Sequence, residues 1–228
     1  MRRYTTFAQQ DEEIQANLSL LADKQTRAEI YANALNILGK KLAVLINPKI
    51  TSSEKIVLAC TSEDADWLGK GILQSLWNTN INLAVFWNLR AKVADDKELI
   101  VAPIVKSYIE ETSNCKTLII CKSIIYTSCV VRTNLTFLIN QINPDKILIV
   151  APVMFKSSES SLNQEFESSI RKKFEYIYFA IDDEVSNEDE VIPGIGGNIY
   201  QRLGLGDSQI KNKYIPQLVK DRRNALSV

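Results

Sequence analysis

Val191–Asp207 reads VIPGIGGNIYQRLGLGD. The chain has eight glycines, and five of them (Gly194, Gly196, Gly197, Gly204 and Gly206) fall here. Glycine is used where the backbone takes a positive φ or must come close to another group. A glycine-poor chain that gathers them in one stretch builds a special backbone shape there. Immediately upstream lie a strand-like run, Phe174–Ile181, and an acid cluster, Asp182, Asp183 and Glu184. A strand end, acids and a glycine loop together describe a ligand site at the carboxyl edge of a sheet. A long glycine-turn hairpin without a ligand is the competing reading.

Working back from that stretch, short apolar runs recur. They are Lys55–Cys60 (KIVLAC), Ile81–Trp87 (INLAVFW), Lys116–Cys121 (KTLIIC), Lys146–Ala151 (KILIVA) and Phe174–Ile181 (FEYIYFAI). Helical patterns lie between them. Thr61 or Ser62 caps one that carries Trp67, Leu68, Ile72 and Leu76. Leu135–Ile142 is a second, after a loop of residues 122–134, and Ser157–Ile170 a third. Strands alternating with helices predict an α/β fold with a parallel five-stranded sheet flanked by helices. Asp11–Ala22 and Gln25–Leu45 also carry helical stripes, with Gly39 a weak point in the second. The expected division is an N-terminal helical extension (1–50), an α/β domain with a Gly-rich hood (51–210) and a basic C-terminal tail (211–228). That tail carries Lys211, Lys213, Lys220, Arg222 and Arg223. A charge run of this kind is ordinarily a solvated face.

Composition narrows the chemistry. The 228 residues suit one domain, and 46% hydrophobic with 24% charged residues describes a globular protein. Lys plus Arg and Asp plus Glu balance at 27 each, so net charge argues for neither a nucleic-acid nor a membrane partner. No apolar run approaches the roughly 18 residues that span a bilayer. The first residues, MRRYTTFAQQDEE, lack the apolar core of a secretory signal. Cys60, Cys115, Cys121 and Cys129 show no CxxC spacing, so buried reduced thiols and a cytoplasmic setting are expected. The chain has no histidine. That excludes Ser-His and Cys-His catalysis and His-ligated zinc, and no transition metal is expected. Carboxylates, hydroxyls, Lys/Arg, backbone amides or a hard cation such as Mg²⁺ must carry any chemistry.

With the strand order and the Pro193-Gly194-Ile195-Gly196-Gly197 stretch in hand, the chain resembles the type I phosphoribosyltransferases, nearest the uracil phosphoribosyltransferase branch. That branch follows its last core strand with an Asp, a short hood and a run close to PGLGDAGDR. Here Ala180-Ile181-Asp182 leads into Val191–Gly197 and then Arg202-Leu203-Gly204, and Ile149–Val153 (IVAPV) matches the branch's Ala-Pro strand end. The resemblance implies binding of a nucleotide or phosphosugar, transfer of a phosphoribosyl group to a nucleobase with Mg²⁺, and a homo-oligomer. Departures point to a catalytically silent binding or assembly module instead. The family's phosphoribosyl pyrophosphate loop carries an acid and two glycines, whereas here Cys121–Val130 reads CKSIIYTSCV. The pyrophosphate loop is replaced by Cys60–Ala65, which has two carboxylates and no base. Hydrolysis of an N-glycosidic bond by Asp182 or Glu184 is a weaker third reading.

The resemblance makes Asp182 the candidate catalytic residue. Thr127, Ser128, Arg132, Thr133, Pro193, Gly194, Gly196, Gly197 and Arg202 are the candidate ligand contacts. Each has a structural alternative. Asp182 is either a ligand contact or a loop cap. The glycines are either a cradle for a planar base or tight turns. Thr127, Ser128 and Arg132 either bind phosphate or sit in an ordinary loop. Glu63, Asp64 and Asp66 either hold a cation or are favourable charges at a helix start. Lys122 ends an apolar strand, where it reaches a phosphate or pairs with Asp182.

Overall fold

A computed structural model describes residues 1–89, 91–93, 96–206 and 212–226. Arg90 and Asp95, Asp207 of the glycine-rich stretch and Lys211 of the basic tail lie outside the described residues.

The chain begins with β1 (Arg2–Tyr4), α1 (Thr6–Gln9), α2 (Glu12–Ala22) and α3 (Ala28–Ile46). β2 (Ile56–Thr61) leads into a helical run of α4 (Ser62–Asp64), a π-helical turn at Ala65–Gly69 and α5 (Lys70–Ser75). Then come β3 (Ile81–Asn88), the hairpin β4 (Ala91–Val93) and β5 (Asp96–Val101), and β6 (Ile104–Ile109). β7 (Thr117–Cys121) and β8 (Ile124–Ile125) precede α6 (Cys129–Ile139). β9 (Lys146–Phe155), α7 (Ser158–Gln164), α8 (Ser168–Arg171) and β10 (Phe174–Asp182) follow. The hood holds β11 (Glu184–Val185), β12 (Val191–Ile192) and α9 (Ile199–Arg202), and α10 (Gln217–Leu226) comes last.

One sheet organises the molecule, in the order β1-β10-β9-β7-β2-β3-β6, with β8 paired to the far end of β9. The expected strands form its parallel core, β10-β9-β7-β2-β3. To these the structure adds β8, parallel to the end of β9, and two antiparallel edges, β1 on β10 and β6 on β3, so the sheet has eight strands rather than five. The core runs are apolar throughout because both faces are covered. Along β2, Ile56, Leu58 and Cys60 meet α2, α3 and α5. Val57 and Ala59 on the opposite face meet α6 and α7.

Three local expectations are corrected. α3 runs unbroken through Gly39, which is where it meets the π-helical turn: an added Cβ would lie 2.4 Å from the Leu68 carbonyl oxygen. α6 starts at Cys129, not Leu135, because burial of Val131, Leu135 and Leu138 against the sheet overrides the weak helix propensity of its β-branched residues. Ser157–Ile170 divides into α7 and α8. The four cysteines are buried and none is joined in a disulfide. Among the described residues no helix is long and apolar enough to cross a membrane.

Candidate functional site

The sheet order fixes where a ligand can enter. β2 crosses over to β3 through α4, the π-helical turn and α5, with Leu68 of the turn and Ile72 of α5 packed on one face. β7 crosses over to β9 through α6 on the other face. The two crossovers diverge from the neighbouring strands β2 and β7, leaving a crevice outside their carboxyl ends. This is the topological switch point at which open α/β sheets bind ligands. A cavity of about 410 Å³ opens there. Its floor comes from the residues after β2 and β7, one wall from the loop 122–128 and the start of α6, and its cover from the hood.

A buried polar network forms the floor. The Lys122 ammonium lies 2.7 Å from Asp64 Oδ2 and 3.2 Å from Glu63 Oε1. Thr61 Oγ1 donates to Asp64 Oδ2 at 2.7 Å, and the Ser123 amide donates to Asp64 Oδ1 at 3.3 Å. The Tyr200 hydroxyl, from the hood, donates to Glu63 Oε2 at 2.6 Å. Burial disfavours charge on Lys122, but the carboxylates of Asp64 and Glu63 outweigh it and hold the ammonium above its ordinary range. Burial pushes Asp64 up, against the downward pull of Lys122. Burial and the Glu63 carboxylate both push the Tyr200 hydroxyl up, so it stays protonated and donates. Lys122 therefore pairs with Asp64 and Glu63, not with Asp182.

The wall is the start of α6. Ser128 takes φ 59°, in the left-handed region, and turns the chain into the helix. Its hydroxyl donates to the Ser158 carbonyl at 3.0 Å, so the Ser128 side chain does not cap the helix. Cys129, Val130 and Val131, whose first-turn amides carry the positive end of the helix dipole, line the cavity. Asp189 and Glu190 of the hood line it from the other side, with Asn198 and the apolar Val191, Ile195 and Ile199.

Among the expected contacts, Thr127, Ser128 and Gly197 line the cavity. Asp182 does not. It is fully buried, its carboxylate is held by the Arg2 guanidinium at 2.9 and 2.8 Å, and it accepts the Gly194 amide at 2.9 Å. Gly194 and Gly196 take positive φ at the base of the hood, outside the lining, as is Pro193. Arg132 pairs with Glu165 at 2.6 Å, and Thr133 sits one position further along α6. Arg202 donates to the Asp23 and Lys24 carbonyls, both at 2.6 Å, and lies over the Tyr31 ring, strapping the hood to the end of α2. Asp66 caps α10, accepting the amides of Gln217 (2.8 Å) and Leu218 (2.7 Å) and the Tyr214 hydroxyl. Among the described residues no group of His, Cys, Asp or Glu is placed to hold a metal ion.

Sequence reasoning missed Tyr200, Tyr126, Asp189 and Glu190. Tyr200 had a signal: it stands inside the glycine-rich stretch where the resembling branch has its Asp-Arg pair. The others carry no local mark.

No family model matches the sequence, and no curated protein matches it. Among solved structures, the AQ2163 protein from Aquifex aeolicus is similar at a TM-score of 0.68 and 19% identity, over 83% of this chain and 93% of that one, and the two share a fold. A hypoxanthine-guanine phosphoribosyltransferase from Bacillus anthracis with HEPES in its active site reaches 0.41 at 15% identity, over 54% of this chain and 70% of that one. A hypothetical protein from Neisseria gonorrhoeae with bound ppGpp reaches 0.40 at 10% identity, over 64% of this chain and 76% of that one. Likenesses at these last two values decide neither fold nor function.

Proposed function

We propose that this chain is a phosphoribosyltransferase-like protein that binds a nucleotide or phosphosugar in the switch-point cavity and does not transfer a phosphoribosyl group. One observation carries this: Lys122 occupies the strand end where the resembling family keeps its ribose-holding acid, and its ammonium is locked between Asp64 and Glu63. A lysine so neutralised neither holds ribose hydroxyls nor offers its charge to a pyrophosphate.

The remaining lining suits a smaller anion with a donor-rich far end. A single phosphate is favoured at the start of α6, which the Ser128 side chain does not cap and where amides and dipole act together. Asp189 and Glu190, opposite, favour hydrogen-bond donors such as a base's amino group, and Val191, Ile195 and Ile199 supply apolar surface for a ring. The Mg²⁺ implied by the resemblance does not fit: Asp64 and Glu63, the carboxylates beside the floor, are already taken by Lys122, Thr61, Ser123 and Tyr200. Binding in this reading is independent of divalent cations.

Thermal shift against a panel of nucleoside monophosphates and phosphosugars tests binding, with and without EDTA. A rise in midpoint with at least one monophosphate, undiminished by EDTA, is expected. A panel with no response sinks the ligand reading. Phosphoribosyl pyrophosphate, Mg²⁺ and the common bases are expected to release no pyrophosphate. Release that disappears in Lys122→Ala would show that the protein transfers after all.

A further inference from the structure

We infer that the hairpin Glu184–Ile192 is a gate over the switch-point cavity, latched by the hydrogen bond from Tyr126 to Asp189. The inference concerns access and holds whatever occupies the cavity. It starts from the contrast between the base of the hood and its tip.

The base is fixed to the body of the molecule. Arg2 donates to the Gly194 carbonyl at 2.6 Å, and the Asp182 carboxylate accepts the Gly194 amide. The buried Tyr31 hydroxyl donates to the Ile195 carbonyl at 2.9 Å. Gly196 packs so closely on α2 that an added Cβ would lie 2.5 Å from the Leu21 carbonyl oxygen. The tip is held lightly. β11 and β12 pair Glu184 with Ile192 and Val185 with Val191, and most of residues 184–189 are exposed. The turn is braced from within, where the Ser186 hydroxyl accepts the amides of Glu188 and Glu190, both at 3.2 Å. Glu190 meets Lys24 in an exposed ion pair at 3.0 Å, a kind that contributes little.

Across the mouth, the Tyr126 hydroxyl donates to Asp189 Oδ1 at 2.8 Å. Both residues line the cavity, one from the loop after β7 and the other from the hood, so the bond spans the opening. Each end is presented by its own scaffold. The Tyr126 ring sits edge-on to Phe155, centroids 5.0 Å apart, and Asp189 takes φ 62°, in the left-handed region. An internally braced hairpin on a fixed base moves as a unit. A solvent-exposed bond at its tip is weak enough to break and reform, as local opening requires. Opening admits a ligand from the side of Tyr126. Closing returns Asp189 and Glu190 to the cavity wall.

Cys129 reports on the gate without any ligand. It lines the cavity behind the latch, whereas Cys60, Cys115 and Cys121 do not. An aromatic disulfide reagent labels it by exchange: the Cys129 thiolate attacks the reagent's disulfide, forms a mixed disulfide and expels an aromatic thiolate. Peptide mapping then identifies the labelled thiol. Tyr126→Phe, which keeps the ring on Phe155, is expected to label Cys129 about fivefold faster than wild type, at unchanged melting temperature. Asp189→Gly, which suits the positive φ, is expected to label faster as well. The double variant is expected to be no faster than Asp189→Gly alone, because the two residues act through one contact. Equal rates in wild type and Tyr126→Phe overturn the gate, as does a double variant whose acceleration is the product of the two singles.

Discussion

Lys122 shows how one residue sets what a site can do. It is nearly buried beside two carboxylates, so its charge belongs to the fold rather than to a ligand. Its ammonium is held above the ordinary value of about 10.5, so its stabilisation is present through the neutral range and lost only above that value. Lys122→Met strands both carboxylates and is expected to cost about 3–5 kcal/mol near neutral pH. Urea denaturation at two pH values checks it. The stranded carboxyls take up protons more readily in the folded state than in the unfolded chain, so the loss should shrink as pH falls. A loss independent of pH would show that packing, not charge, is what Lys122 supplies. Tyr200→Phe removes the donor to Glu63 and is expected to cost about 1.5–3 kcal/mol by the same measurement. The lysine's oddity at the end of an apolar strand was legible; its partners were not.

At the scale of elements, the crossing of α3 over the π-helical turn and α5 decides how the N-terminal helices sit. Gly39 and Gly71 are the contact points: an added Cβ on Gly39 meets the Leu68 carbonyl oxygen at 2.4 Å, and one on Gly71 meets the Asn36 carbonyl oxygen at 2.2 Å. Intrinsic propensity says that Gly39→Ala gains about 1 kcal/mol. The backbone it would strike cannot step aside, so the variant is expected to be destabilised by about 1–3 kcal/mol. A melting temperature above wild type would show that the helices can separate at no cost. Read from the chain alone, Gly39 looked like a weak point in a helix. What it provides is a close approach, and that depends on a helix some thirty residues later. The start of α6 was misplaced for a related reason: Val130, Val131 and Thr133 are β-branched and read as non-helical, and the sheet beneath the helix decides otherwise.

At the scale of the molecule, the N-terminal strand closes the sheet and anchors the hood. Arg2 on β1 pairs with buried Asp182 at the end of β10 and reaches the Gly194 carbonyl, tying both ends of the hairpin Glu184–Ile192 to one guanidinium. Arg2→Ala is expected to destabilise the protein by about 3–5 kcal/mol in chemical denaturation, because Asp182 is left buried without its counter-charge. It is also expected to raise hydrogen exchange at Gly194–Gly197 above that of the strand core. Unchanged exchange there would mean that the hood is held by Tyr31 and Arg202 alone. Asp182 was legible as important, at a strand end before a glycine loop. Its role was not, because its partner is a residue at the opposite end of the chain, on a strand too short to show a period.

By itself the sequence determined the parallel core and the existence of the hood. Runs apolar at every position are stable only when covered on both faces, and glycines gathered in one stretch are needed where φ turns positive, so both features are written locally. The tertiary structure alone decided which charges meet. Lys122 finds Asp64 because β7 lies beside β2, and Arg2 finds Asp182 because β1 lies beside β10. Charge pairing is set by distance in space, and that distance follows from strand order, which no local pattern of residues records.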